Sequence, residues 1–330
     1  MIQMTTNPEI SVVMSVYNGS RYLSESIESI LKQEAVDLEL IIVNDGSTDN
    51  SGMILAKYKK TDRRLKIISQ KNTGLTTALI KGCSQSQGEY IARQDVGDIS
   101  HPKRMIQQKR ALDNNQELVF VSSWTSYYGP EMEFLFHYKG QKRDGKPNYI
   151  ISENEQHGVI DGPTHHSSVM FRKNAYINAN GYRKEFYYAQ DWDLWYRLAE
   201  LGKFQILGNY LYHVRITPDN ISLSNKKKQE KLGELALMAM RARRKNVTEA
   251  NILFQAKAIR PMKAQKKSSK RQILAGGNYF IGECLRRNND ARSFTYLKQS
   301  IYSFPFFFKA WIRLIQTIQI LYGSRSGNKT

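Results

Sequence analysis

Cysteine is almost absent from this sequence, which holds only Cys83 and Cys284 in 330 residues. Two cysteines this far apart exclude a disulfide-stapled secreted scaffold and indicate a reducing compartment. No run of 18 or more uncharged apolar residues occurs, so no transmembrane helix is predicted. The N-terminus, MIQMTTNPEISVVMSVYN, has no basic segment and no long apolar segment, so no signal peptide is expected. These absences together predict a cytoplasmic protein.

Acidic residues are scarce in the last third of the chain. From Lys226 to Thr330, 23 Lys and Arg stand against 5 Asp and Glu, whereas the first 225 residues hold 26 against 25. The net charge of +19 therefore belongs almost entirely to this third. Such asymmetry indicates a surface for an anionic partner, either nucleic acid or an anionic membrane face. A set of solvated helix faces is the alternative reading.

Strand and helix patterns alternate over the first 125 residues. Continuous apolar runs, typical of buried strands, are each followed by an amphipathic helix pattern. The expected strands are 10–18, 38–47, 65–70, 88–95 and 117–128, and the expected helices are 20–33, 73–86 and 101–115, with another after Asp49. This alternation predicts an α/β fold with a mostly parallel sheet, in which ligands bind beyond the carboxyl ends of the strands.

The pattern changes in the second half of the chain. Residues 167–173 indicate a short strand, 189–203 a helix, and 204–216 one strand or a pair. After residue 225 the pattern is purely helical. We therefore expect an α/β domain over residues 1–225 and a basic helical region over residues 226–330.

Polar residues follow four of the expected strands. They are Tyr17 and Asn18, then Asp45, then Lys71, and finally Arg93, Asp95 and Asp98. Turn chemistry explains any one of these positions by itself. Because the carboxyl ends of parallel strands meet at one edge of a sheet, four such ends together favour a ligand site.

Four segments carry a resemblance to a known family. In chain order they are ISVVMSVYNGSRYLSESIESILKQ, LELIIVNDGSTDNS, GEYIARQDVGDISHPKR and YYAQDWDLWYRLAELGK. Their order and spacing resemble the inverting nucleotide-sugar glycosyltransferases of family 2, over roughly residues 8–224. The resemblance implies a GT-A fold, a mostly parallel mixed sheet flanked by helices, here with a C-terminal all-helical extension. It also implies transfer of a sugar from a nucleoside diphosphate, expected to be UDP, to a hydroxyl acceptor with inversion, in cell-surface polysaccharide or glycan synthesis.

The resemblance assigns a nucleotide site to the strand ends. The matching positions are Val16, Tyr17, Asn18, Asp45, Lys71, Arg93 and Asp95. An aromatic ring such as Tyr17 can stack on a uracil-like base, and Asp45 can accept a hydrogen bond from the ring N3–H. Without the resemblance, the residues favour a packed strand-end aromatic at position 17 and an Asx-turn before Gly46.

The resemblance makes Asp191 the general base that inversion requires. The family's Glu-Asp pair reads Gln190-Asp191 here. The alternative role for Asp191 is to cap a helix over 192–201, for which Asp193 is the nearer competitor. His165, His166 and Arg215 are expected to contact substrate. Lys71, Arg93, Arg104 and Arg215 are candidate cations for the leaving diphosphate.

The family's metal motif is altered in this sequence. Gly97 stands where the second Asp of an Asp-x-Asp triplet is expected, and Thr217 stands where a His is expected. Asp95 and Asp98 remain as oxygen ligands for Mg²⁺ or Mn²⁺. Because both expected ligands are missing, we expect only weak dependence on a divalent cation.

The C-terminal helices allow two interpretations. Residues 304–323 form an aromatic amphipathic segment that suits either a cap on the first domain or docking on an anionic inner membrane face.

The expected partners are a nucleotide-sugar donor and a glycan or lipid-linked acceptor. No nucleic-acid-binding motif is visible, so no specific nucleic-acid partner is expected. The rival function is a degenerate family member that binds nucleotide sugar with little or no catalysis.

Overall fold

The computed structural model describes residues 7–139, 149–151, 162–219, 226–259 and 267–323. The strands are β1 (Ile10–Val16), β2 (Leu38–Asp45), β3 (Leu65–Gln70), β4 (Tyr90–Asp95), β5 (Ile99–Ser100), β6 (Leu118–Tyr128), β7 (Phe134–Tyr138), β8 (Tyr149–Ile151), β9 (Met170–Arg172) and β10 (Lys203–Arg215). The helices are α1 (Ser20–Leu31), α2 (Ser51–Thr61), α3 (Leu75–Ser84), α4 (Arg104–Asn114), α5 (Lys173–Asn178), α6 (Gln190–Ala199), α7 (Lys226–Arg244), α8 (Ala250–Ala258), α9 (Lys267–Arg287), α10 (Ser293–Ser303) and α11 (Phe308–Gly323). A 3₁₀ turn spans His166–Ser168.

The strands form a mixed sheet in the order β3-β2-β1-β4-β9-β6-β10-β5, with β7 on β6 and β8 on β10. The first four strands are parallel, as the alternating pattern predicts. The fifth expected strand forms as β6, but β9 lies between it and β4 and pairs antiparallel with both. The sheet is therefore parallel from β3 to β4, and β9 runs antiparallel to both of its neighbours.

Strand β1 is buried on both faces because successive side chains of a strand point to opposite sides. Val12 and Met14 belong to one apolar cluster, which includes Leu23 of α1. Val13 belongs to another, which includes Leu79 of α3. The helices thus cover both faces of the sheet, and the continuous apolar run of β1 has the composition that this position requires.

The parallel strands end at the same level. Val16 pairs with Asn44, Ser15 pairs with Asp95, and Asp45 pairs with Gln70. The polar residues that follow β1 to β4 therefore share one edge of the sheet, as expected.

Packing divides the chain into two units within the described residues. One takes the described residues of 7–125, 138–213 and 228–259, and the other takes those of 126–137, 214–227 and 267–323. The first unit thus includes α7 and α8, beyond the boundary that the sequence predicts at 225. In the second unit, β7, α9 and α10 pack around Leu135, Ile281, Leu285 and Tyr296. Among the described helices, none is both long and apolar enough to cross a bilayer.

Candidate active site

The end of β1 presents an aromatic ring to solvent. Tyr17 is 54% exposed, so its face is accessible for stacking, whereas Val16 is buried and offers only its backbone. Asn18 has a left-handed backbone with φ of 52°. Its Oδ1 accepts a hydrogen bond of 2.7 Å from the backbone N–H of Thr48, and its own N–H donates to Ser47 Oγ at 3.0 Å. The loops after β1 and β2 are thereby tied together.

Asp45 organises the loop after β3. Its Oδ1 accepts bonds from Gln70 Nε2 at 2.7 Å and from the N–H of Thr73 at 2.9 Å, and its Oδ2 accepts from the N–H of Gly74 at 2.8 Å. This loop carries Lys71, whose side chain is exposed. Asp45 therefore holds the loop that presents a cation beside the strand ends.

The side chain that stabilises the turn at Gly46 belongs to Asn44, not to Asp45. The side-chain Oδ1 of Asn44 accepts the N–H of Ser47 at 3.0 Å. Gly46 itself has a φ of +77°, and a Cβ there would lie 2.7 Å from the backbone N of Asn72. Asn44 and Gly46 thus make the turn, which leaves Asp45 directed at the 70–74 loop.

Asp95 lies at the centre of a charged cluster at the end of β4. The buried guanidinium of Arg93 donates to its Oδ1 at 2.6 Å, and Nε2 of His166 lies 2.6 Å from its Oδ2. Burial opposes ionisation of Asp95, but Arg93 and His166 together hold the pKa of this carboxyl well below its usual range. Arg93 also donates hydrogen bonds to the hydroxyls of Tyr182 and Ser167. Because its side chain is fully buried, Arg93 acts on the site by holding Asp95.

The two adjacent histidines have opposite electrostatic surroundings. Their rings are 4.1 Å apart between centroids, and the His165 ring stacks on Tyr212. Burial lowers the pKa of His165 well below its usual value, and neighbouring His166 lowers it further. Burial also acts against charge on His166, but Asp95 outweighs it and raises the pKa of His166. His166 is therefore the ring of the pair that retains a proton more readily.

The residues near Asp95 do not fit a divalent cation site. Both oxygens of Asp95 already have cationic or imidazole partners. Asp98 is buried and accepts the hydroxyl of Tyr212 at 2.9 Å. Gly97 contributes no side chain, although a Cβ there would meet nothing within 4 Å. Across the described residues, no group of three or more His, Cys, Asp or Glu has the placement to hold a metal ion.

Asp191 lies in the first turn of α6, with its side chain 16% exposed. Its Oδ2 is 3.9 Å from Nδ1 of His166, and its Oδ1 accepts the N–H of Trp192 at 3.0 Å. The helix begins one residue earlier, at Gln190, and the capping position is Ala189 with no side-chain cap bond. Asp191 is therefore not the N-cap residue that the alternative interpretation made it.

Asp193 does not cap the helix either. It is fully buried and forms ion pairs with Arg183 and Arg197, the latter at 2.6 Å. Arg183 also forms an ion pair with Glu249, at 2.6 Å. The two carboxylates of the Asp-Trp-Asp segment thus separate in role, because Asp193 anchors α6 in the first unit while Asp191 lies partly exposed beside His166.

Asp191 and His166 line a cleft of about 690 Å³. The other lining residues are Leu75, Tyr187, Tyr188, Ala189, Gln190, Trp192, Gln229, Glu230 and Gly233. The last three come from α7, which the sequence assigned to the C-terminal region. Tyr187 and Tyr188 are adjacent in the sequence shortly before Gln190, and this pair could have indicated the aromatic wall of the cleft. A Cβ at Gly74 would lie 2.8 Å from the Tyr187 ring, so the cleft adjoins the loop that Asp45 holds.

The remaining candidate cations have structural partners. Arg104 is fully buried and donates to the carbonyl oxygens of Arg93 and Ser167, so it fastens the strand ends together. Arg215 belongs to the second unit, where it is buried and donates to the carbonyl of Pro130 at 2.9 Å. Its expected contact with substrate stays a prediction.

Comparison with known proteins agrees with this arrangement. The model of glycosyl transferase family 2 matches residues 11–176. An uncharacterized glycosyltransferase of Methanocaldococcus jannaschii is 31% identical over 234 residues, which are 70% of this chain and 78% of that protein. The chondroitin synthase of Pasteurella multocida is 27% identical over 224 residues, 68% of this chain but only 22% of that enzyme.

The fold is similar to that of a solved structure. Residues 1–349 of S. aureus TarS, in complex with UDP, superpose with a TM-score of 0.56 at 14% identity. The match covers 90% of this chain and 81% of that chain. Together with the family match and the expected order of strand-end residues, this fold identifies the chain as a GT-A member of glycosyl transferase family 2, and the protein is a glycosyltransferase.

Proposed function

We propose that this glycosyltransferase moves a sugar from a UDP-sugar to an acceptor hydroxyl with inversion, and that Asp191 is the general base. The observation that carries the proposal is the position of the Asp191 carboxylate, partly exposed on the wall of a 690 Å³ cleft. That cleft adjoins the loop organised by Asp45.

The reaction is a single displacement. Asp191 takes the proton of the acceptor hydroxyl while that oxygen forms a bond to the anomeric carbon of the donor. The bond from the anomeric carbon to the diphosphate breaks, and its electron pair leaves with the nucleoside diphosphate. Since attack and departure occur on opposite faces of the sugar, one such step inverts the anomeric configuration.

Two observations support a uridine nucleotide. Tyr17 presents an exposed ring at the end of β1, where a flat base can stack on it. TarS, which has the same fold, was solved with UDP bound. Val16 contributes its backbone, and Asn18 connects the loops after β1 and β2. Asp45 contributes by holding the loop after β3.

The leaving diphosphate needs positive charge close by. Lys71 is exposed on the loop that Asp45 holds, so we assign it to the diphosphate. Arg93 acts indirectly, by fixing Asp95. Because Asp95 and Asp98 do not fit a cation site, we propose that turnover depends only weakly on Mn²⁺ or Mg²⁺.

A glycan is the acceptor class that we propose, in polysaccharide synthesis. The cleft wall carries Tyr187, Tyr188 and Trp192, and aromatic faces of this kind suit the apolar face of a sugar ring. One relative is named for the synthesis of a polysaccharide, chondroitin. His166 lines the cleft and contacts Asp95, and we propose that it contacts substrate. His165, whose ring packs against His166, stays a predicted substrate contact.

Product analysis tests the proposal directly. The protein is incubated with UDP-, GDP- and dTDP-sugars and a panel of oligosaccharide acceptors, and the anomeric configuration of the product is read by NMR. Inverted product from a UDP-sugar is expected. Retained configuration would contradict the single displacement. Nucleotide binding with no product from any pair would favour the degenerate, sugar-nucleotide-binding alternative.

A further inference from the structure

The most apolar face of α11 points away from the protein. Five of its side chains, Phe308, Trp311, Ile312, Ile315 and Ile318, are 39–70% exposed. At 100° per residue these positions fall within about a third of the helix circumference. We call these five residues the apolar face of α11. Contiguous exposure of large apolar side chains on one helix marks an interaction surface.

The opposite side of α11 is the one that packs within the second unit, and it is the less apolar side. Ala310 and Thr317 are buried there. Arg313 Nε lies 3.3 Å from Glu283 Oε2 of α9, and Thr317 Oγ1 donates to the carbonyl of Arg313. Helix α11 is therefore fixed through a small and polar side, while its apolar face stays outward.

Two exposed aromatic side chains precede α11, one near the end of α10 and one in the connecting segment. Tyr302 and Phe306 are 90% and 72% exposed. The indole N–H of Trp311 donates to the carbonyl of Pro305 at 2.9 Å, which ties the helix to this segment. Tyr and Trp have an apolar body with a polar tip, the combination found where hydrocarbon meets water.

The charged residues of α10, α11 and the segment between them have one sign. From Ser293 to Gly323 they are Lys298, Lys309 and Arg313, with no Asp or Glu. Lys298 lies one helical turn from Tyr302 on the exposed side of α10, and Lys309 follows Phe308 directly. A second copy seated on this face would bring like charges together, whereas an anionic surface would be attracted.

We propose that the apolar face of α11 docks on an anionic lipid bilayer, with α11 lying in the interface plane. The five apolar side chains enter the boundary between head groups and acyl chains, and Lys298 and Lys309 contact anionic head groups. This binding is independent of the donor and acceptor, and it would keep the enzyme beside an acceptor that is held at a membrane.

Co-sedimentation of the full-length protein with vesicles tests this surface. Wild-type protein is expected to bind vesicles of mixed phosphatidylglycerol and phosphatidylcholine, with little binding to phosphatidylcholine alone. The double variant I312D/I315D should weaken binding about tenfold or more, because each substitution places a charge in the interface. Phe254→Asp is the matched control, since Phe254 is 73% exposed on a different helix, and it should bind as wild type.

Two further measurements separate the alternatives. Fluorescence of Trp311 should shift to the blue on vesicle binding, and Lys298→Gln with Lys309→Gln should reduce the preference for anionic lipid. Circular dichroism confirms that the variants are folded. The proposal would be overturned if I312D/I315D bound vesicles as well as the wild type does. It would also be overturned if the wild type did not bind vesicles and instead formed a lipid-free dimer, seen by sedimentation velocity, that I312D/I315D dissociates.

Discussion

Nε2 of His166 lies 2.6 Å from the Asp95 carboxylate, and the opposite ring nitrogen, Nδ1, is 3.9 Å from that of Asp191. A ring with one nitrogen held in this way has its other nitrogen aimed in a fixed direction. The ion pair between the buried Arg93 and the partly exposed Asp95 therefore determines where His166 faces Asp191. The site thus links the end of β4 to the proposed base on α6 through a single imidazole.

Replacing His166 with Ala should lower kcat by on the order of 10- to 100-fold, because the proposed base loses its positioned neighbour. UDP affinity should change little, since Tyr17 lies on a different strand end. Steady-state kinetics with calorimetry of UDP binding separates these effects. His101→Ala removes an imidazole outside the cleft and serves as the control. An unchanged kcat in His166→Ala would exclude the positioning role.

Asp191→Asn should reduce turnover by about 10²–10⁴-fold and leave UDP binding and the thermal midpoint near wild type, because only the proton acceptor is lost. Asp193→Asn is the contrasting variant. It weakens the ion pairs of the fully buried Asp193 with Arg183 and Arg197, so it should lower the free energy of unfolding by roughly 3 kcal/mol. Near-normal turnover by Asp191→Asn would sink the base assignment.

Tyr17→Ala and Asp45→Ala should both weaken UDP binding, but only the second should also destabilise the fold. Tyr17 is half exposed, so its removal takes away a stacking surface and little packing. Removal of the Asp45 carboxylate leaves the N–H groups of Thr73 and Gly74 without their acceptor, at a cost of about 1–3 kcal/mol. Calorimetry and thermal unfolding provide the two readouts. Equal UDP affinity in wild type and both variants would remove the nucleotide site from these strand ends.

Treatment with EDTA should leave most of the turnover intact, and added Mn²⁺ or Mg²⁺ should change it little, because Asp95 and Asp98 have other partners. Complete loss with full rescue would show that these two carboxylates do build a working metal site.

Gly97→Asp should increase Mn²⁺ affinity if the glycine is what removed the cation site. The position has open space for a side chain, but its φ of +99° places the new residue under backbone strain. Calorimetric titration with Mn²⁺ reads the gain, and Gly97→Asn carries similar strain without the charge. Equal Mn²⁺ affinity in both variants would leave Gly97 as a turn residue alone.

Glu283 gives the second unit a pH-dependent element. Hydrogen bonds from Arg286, and then Arg287, together with the charge of Arg313, lower the pKa of Glu283 to about 2. A carboxyl with a depressed folded-state pKa stabilises the fold above its unfolded pKa of about 4.5, and the stabilisation is lost as the pH falls toward 2.

The Glu283→Gln variant should therefore be less stable than wild type at pH 7, by on the order of 2 kcal/mol, and the difference should shrink between pH 5 and pH 3. Urea unfolding at several pH values measures the difference. Glu234→Gln, which removes an exposed partner of Lys231, should show no such trend. A constant difference between wild type and Glu283→Gln across this range would contradict the assignment.

Local sequence patterns determined much of this protein. The apolar runs of β1 to β4 are long enough to be buried on both faces, so strand type, parallel pairing and the shared edge of polar strand ends follow from short-range periodicity. The helical character of the described residues after 225 follows in the same way. Tyr17, Asp45, Asp95 and Asp191 are candidate site residues because the family resemblance matches them and their motifs lie at strand ends or a helix start.

Only the tertiary structure decided which neighbour each of these side chains has. Helical spacing pairs Asp193 with Arg197, but position along the chain does not reveal that Asp193 also meets Arg183, nor that His166 lies between Asp95 and Asp191. Contacts across more than 70 residues depend on how β9 inserts beside β4, which no local periodicity encodes. The same holds for the apolar face of α11, because the sequence shows an amphipathic helix, but packing alone decides which of its sides turns inward.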